Sequence, residues 1–93
     1  MSDRTLVFSS HAVRRMFARR ISEAEVEIAI ERGTMIESYL DDTPFPSYLV
    51  LCAIDGRPIH VVYSIDESTN TFYIITAYNP DSEIWQNNFR TRK

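Results

Sequence analysis

The feature that most constrains this chain is the dipeptide Asp55-Gly56, set between the apolar runs "YLVLCAI" (residues 48–54) and "IHVVYSI" (59–65). A two-residue connection between such runs needs positive φ at both central positions, which Asp and Gly tolerate, so it predicts a tight β-hairpin. A polar stretch, "DESTN", then separates the second run from a third, "TFYIITAY" (71–78). The pattern is that of an antiparallel meander.

The region before the hairpin has a different period. Ser9 or Ser10 can cap a first helix running to about Arg20, with Ala12, Val13, Met16 and Phe17 sharing one side. "SEAE" (22–25) has capping-box spacing, and Gly33 is placed to stop the second helix that follows. Val26, Ala29 and Ile30 form its inner stripe, and Glu23, Glu27 and Glu31 its solvated side. "TMIESYL" (34–40) then reads as a first strand, and "PFPS" (44–47) as a rigid connection. The expected fold class is α+β: two N-terminal helices packed on an antiparallel sheet of three to four strands. The tail from Asn79 reads as a turn into a short helix or edge segment. A chain of 93 residues, 44% of them hydrophobic, has material for one modest core, so residues 1–93 are expected to form a single domain.

One cysteine, Cys52, cannot build a disulfide framework, and its apolar run suits a thiol that packs as a small hydrophobe. No apolar stretch approaches the roughly 20 residues that span a bilayer, and "MSDRTLVFSSH" lacks the order of a signal peptide. A cytoplasmic protein is expected.

Charge is unevenly spread in a chain of formal net charge −3. Residues 1–20 carry five arginines against Asp3, whereas residues 21–42 carry seven acids against Arg32. Within "FSSHAVRRMFARRIS" (8–22), His11, Arg15 and Arg19 recur at i, i+4 and i+8 and drift over only about 80° of a helix surface. Like charges so spaced destabilise a helix by about 0.2–0.5 kcal/mol per pair, so folding does not ask for them. Guanidinium groups bind phosphate through paired hydrogen bonds, which makes the strip a candidate phosphodiester clamp; the competing reading is a solvated helix face.

Alternation along residues 59–65 sends Ile59, Val61, Tyr63 and Ile65 toward the helices and His60, Val62 and Ser64 to the other face. His60 is then expected on an open face, where an imidazole can exchange protons near neutrality, although a lone strand histidine is also a common structural residue. Tyr78 ends the last predicted strand and can offer a phenolic donor at the rim of that face. Trp85 and Phe89 can stack on bases, and Arg57 and Arg90 add cations for phosphate. Two histidines and scattered acids show no metal-ligand spacing, and no glycine-rich phosphate loop occurs.

Three ordered stretches carry a family resemblance: "FSSHAVRRMFARRIS", "GRPIHVV" (56–62) and "TAYNPDSEIW" (76–85). The chain resembles the prokaryotic family catalogued as domain of unknown function 4258, which is similar to RelE-like and colicin-like (BECR-like) ribonuclease toxins. That resemblance implies helices on an antiparallel sheet and RNA cleavage without metal or cofactor. It also implies a toxin of a toxin–antitoxin pair, its partner an antitoxin with a zinc-finger region. Ribosome-dependent toxins of the RelE-like kind are strongly basic and this chain is acidic overall, a departure that argues against ribosome dependence and leaves cleavage of free RNA open. The expected catalytic set is His11, His60, Arg15 and Tyr78, with Arg15, Arg19, Arg57, Trp85 and Arg90 holding RNA. Which histidine is acid and which base stays open. The alternative is a non-catalytic module that uses the basic strip to hold an anionic ligand or a partner protein.

Overall fold

Asp55 and Gly56 adopt φ of 53° and 79° in the computed structural model, which describes residues 4–80. They join β3 (Ser47–Ile54) to β4 (Arg57–Asp66) with Ile54 opposite Arg57, so the turn chemistry sets the register of the whole hairpin. The next turn leads to β5 (Thr71–Tyr78), antiparallel to β4. There the Asp66 carboxylate accepts from the Ser68 hydroxyl at 2.6 Å and the Ser68 N–H at 3.1 Å, and Asn70 takes a φ of 54°. On the other side β2 (Thr34–Tyr39) pairs antiparallel with β3.

Among the described residues the sheet has five strands and is mixed, which corrects the expected three or four antiparallel strands. A short strand, β1 (Thr5–Phe8), lies parallel to β5 and gives the order β1-β5-β4-β3-β2. Four residues, "TLVF", are too few to display a period, and their partners begin at Thr71, far along the chain. Parallel pairing requires a crossover that local sequence does not announce.

Helix α1 (Ser10–Arg19) starts on Ser9, whose hydroxyl accepts from the Ala12 N–H at 3.0 Å. It ends on Arg20 in the left-handed region, φ 57°, whose N–H returns to the carbonyls of Met16 and Phe17. Ala12 and Met16 are buried, but Val13 is 49% and Phe17 87% exposed, against the expectation that all four apolar residues share the inner side. At 100° per residue Phe17 lies about 100° around the helix from Met16, and α1 buries only a narrow stripe.

Helix α2 (Glu23–Arg32) opens with the complete capping box: Ser22 Oγ accepts from the Glu25 N–H at 3.1 Å, and Glu25 Oε1 accepts from the Ser22 N–H at 2.8 Å. Val26 and Ala29 are buried and Ile30 packs against the core. Gly33 does end the helix, though in extended backbone with φ −71° rather than in the left-handed region. Its need for glycine is one of space: a Cβ there would lie 2.3 Å from the Ala29 carbonyl oxygen and 2.9 Å from that of Leu51.

Ala12, Met16, Val26 and Ala29 share one core with Val50, Ile59, Val61, Tyr63, Phe72, Ile74 and Ala77, and Ile65 packs against it. The β4 alternation is thus as expected. On β5 it is interrupted: Val62 pairs with Thr76 but Tyr63 pairs with Ile74, so Ile75 is an extra residue in β5. This bulge lets Ala77 face the helices as Ile74 does, and turns Tyr78 to the opposite face. That face is not open at His60, which is 0% exposed, nor at Leu49 and Ser47, both buried. The expectation of a solvent-facing His60 is therefore overturned. Among the described residues no helix is long and apolar enough to cross a membrane.

Candidate active site where β4 begins and β5 ends

His60 and Tyr78 are direct cross-strand partners, near the start of β4 and the end of β5. Their rings meet edge to face with centroids 5.4 Å apart, and His60 Nδ1 lies 3.4 Å from the Tyr78 hydroxyl. The imidazole tautomer decides which of the two donates. Cross-strand pairs of this kind bring side chains together without help from a loop. Asn79, directly after β5, donates its side-chain amide to the Pro58 carbonyl at 3.1 Å and ties the two strand ends together.

Arg15 reaches the same place from α1. Its guanidinium carbon sits 5.5 Å from the centroid of the Tyr78 ring, a cation–π distance. The route is set by the shortness of β1, which pairs only as far as Ile74. At Ser9 the chain leaves the sheet, its N–H donating to the Ile74 carbonyl at 3.2 Å and its hydroxyl to that of Ile75 at 3.1 Å. Helix α1 therefore starts midway along β5, and Arg15 lies a turn and a half further on, over the last residue of the strand. His11 and Arg19, one turn before and after Arg15 on the same strip, are both exposed.

The structure thus brings together three of the residues expected at a site, Arg15, Tyr78 and His60, with His11 and Arg19 flanking them on the helix. His60 meets this cluster from the protein side, and Tyr78 stands between it and Arg15. Arg57 is engaged elsewhere. Its guanidinium pairs with Glu25 at 2.9 Å and donates to the Arg20 carbonyl at 3.4 Å, so the hairpin is fastened to the junction of the two helices. The Ser22 backbone N–H, the largest influence, outweighs burial, the next, and with help from Arg57 holds the Glu25 carboxyl below the usual carboxylate range. The pairing with Glu25 is where the structure places Arg57, one of the residues expected to bind phosphate. Trp85 and Arg90, with Phe89, lie outside the described residues.

Sequence reasoning missed two structural supports of the site. Asn79 had a signal, an Asn-Pro pair directly after a strand, which marks a turn. Ser9 had only its capping role; its bond to β5 depends on where the helix lands. Among the described residues no group of three or more His, Cys, Asp or Glu side chains gathers as a metal site would. In comparisons with known proteins, residues 8–79 match the family described as Domain of unknown function (DUF4258). No curated protein and no solved structure matches the chain.

Proposed function

We propose that this chain, which belongs to the DUF4258 family, is an endoribonuclease that cuts RNA through its own 2′-hydroxyl. The observation that carries the reading is the file Arg15–Tyr78–His60: a guanidinium over the face of a phenol whose hydroxyl lies 3.4 Å from a buried imidazole. RNA brings its own nucleophile, so the protein needs a base, an acid and positive charge at the phosphate. His11, exposed on the strip, takes the 2′-OH proton. The 2′-oxygen attacks phosphorus, the bond to the 5′-oxygen breaks, and Tyr78 protonates that leaving group. A phenol is protonated at neutral pH, which suits it to the acid's part. His60, removed from solvent and adjacent to the hydroxyl, holds the phenol in place, and after product leaves Tyr78 regains its proton from water as His11 gives its own back to water. Arg15 and Arg19 hold the phosphate and offset the charge that builds on its oxygens. The products are a 2′,3′-cyclic phosphate and a 5′-hydroxyl. In this reading the protein is the toxin of a toxin–antitoxin pair, cytoplasmic and RelE-like in its chemistry, and its antitoxin carries a zinc-finger region.

The second reading, a binding module that holds an anionic ligand without cutting it, is favoured by the complete burial of His60. Incubating purified protein with RNA in EDTA separates the two. The nuclease reading expects cleavage that a 2′-deoxy substitution blocks and that His11→Ala and Tyr78→Phe suppress, together with slowed growth on expression that His11→Ala relieves at matched soluble levels. RNA that is bound yet left intact would establish the binding module.

A further inference from the structure

The outer surface of the two helices carries features that neither folding nor the proposed chemistry uses. Phe17 is 87% exposed, Val13 49% and Ile28 38%, three large apolar side chains where a solvated helix layer would carry polar ones. Around them the charges are segregated. Helix α1 exposes Arg14 on this side, and Arg20 caps it, with no acidic residue in the segment. Helix α2 exposes Glu23, Glu27 and Glu31, each one turn from the next. Among the described residues, none of these five groups enters an ion pair. The buried sides of both helices belong to one core against the same sheet face, α1 over β5 and α2 over the neighbouring β4 and β3.

We infer that two copies of this chain associate face to face through their helix layers, α1 of each on α2 of the other. A two-fold axis above the helix layer, between α1 and α2, produces that contact twice. Each basic helix then meets an acidic one, and Val13 and Phe17 of one copy meet Ile28 of its partner. A basic partner would leave α1 unused and an acidic partner α2, whereas a second copy satisfies both. Arg15 lies about 100° around α1 from Met16 on the side opposite Phe17, so the association leaves the Tyr78 site uncovered. Each helix is about 15 Å long, so a contact confined to the helix layer falls well below the roughly 800 Å² per partner of a standard interface. The dimer is therefore a weak one, formed toward the upper end of the concentrations used below.

Sedimentation velocity of the full chain, from about 10 μM to about 1 mM at low salt, tests this directly. The weight-average mass should rise from 10.8 kDa toward twice that, and the rise should shrink as salt screens the charges. Phe17→Asp, at a site already in solvent, should stay monomeric with an unchanged circular dichroism spectrum. Arg14→Glu and Glu27→Arg should each weaken association about five-fold or more, and the two combined in one chain should restore it, because the complementarity is then merely reversed. A wild-type protein that stays at 10.8 kDa throughout, a Phe17→Asp variant that associates like wild type, or a combined variant as weak as either single one would each overturn the inference.

Discussion

The hydroxyl of Tyr78 lies 3.4 Å from Nδ1 of His60, across one rung of the β4–β5 ladder, with the Arg15 guanidinium over the outer ring. This contact is the part of the proposed site that a single atom can test. Tyr78→Phe removes the hydroxyl and keeps the ring, so the edge-to-face packing and the cation–π contact remain. The variant should fold with little loss of stability while RNA cleavage falls by about 10²-fold or more, the usual contribution of a positioned acid. His60→Gln should likewise fold, with cleavage reduced. Rates and thermal melts on the same preparations check both, and full activity in Tyr78→Phe would remove the phenol from the chemistry.

Salt reports on the phosphate clamp. Each phosphate contact to single-stranded RNA releases condensed counterion and contributes about −0.7 to the slope of log binding constant against log salt. Replacing Arg15 and Arg19 together by Ala should weaken binding across RNA sequences and flatten that slope by about 1.4. Filter binding or fluorescence anisotropy at several salt concentrations measures it. An unchanged slope would place the phosphate elsewhere.

The chain's two glycines should fail in different ways. At Gly33 an added Cβ meets two backbone carbonyl oxygens, at 2.3 and 2.9 Å, which cannot swing aside as a side chain can. Gly33→Ala should destabilise the fold by about 2–3 kcal/mol, as overpacking does. At Gly56 a Cβ meets nothing within 4 Å, and the obstacle is the φ of +79°. Gly56→Ala should cost only about 1–2 kcal/mol, the ordinary left-handed penalty for an L-residue. Urea unfolding of the two variants orders them, and a larger loss at Gly56 would contradict the close approach of Gly33 to Leu51.

Glu25 should make stability depend on pH in a definite direction. Its carboxyl is held below its usual 4.5, first by the Ser22 backbone N–H and then by Arg57. A depressed native pKa contributes stability that is present above the unfolded value and lost as pH falls through the native one. Glu25→Gln should therefore be less stable than wild type at pH 7, and the gap should narrow as pH drops below 4.5. Urea midpoints at pH 7, 5 and 3 follow the difference; a gap that stays constant would assign the effect to packing.

What could be read from the chain alone was what neighbours in sequence decide between themselves. The Ser22–Glu25 capping box, the positive φ of Asp55 and Gly56, and the inward set Ile59, Val61, Tyr63 and Ile65 each follow from the reach of a side chain over a few residues or from a strand's period of two. The strip His11, Arg15, Arg19 was legible for the same reason, since helical spacing alone aligns it.

Tertiary structure decided everything that depends on a partner far away in sequence. Thr5 pairs with Thr71, a contact that four residues without a period could not signal. Plain alternation would put Tyr78 on the same face as Phe72 and Ile74, toward the helices; the extra residue Ile75 reverses the parity and sets Tyr78 opposite His60. Arg57 was counted as a free cation because Glu25, 32 positions earlier, becomes its neighbour only when the hairpin folds under the helix junction. Phe17 was assigned to the core by a helical pattern that shows which residues share a side, but not how wide a stripe the sheet covers. Periodicity is a property of one element, whereas burial and charge pairing belong to two, and the second element is supplied only by the fold.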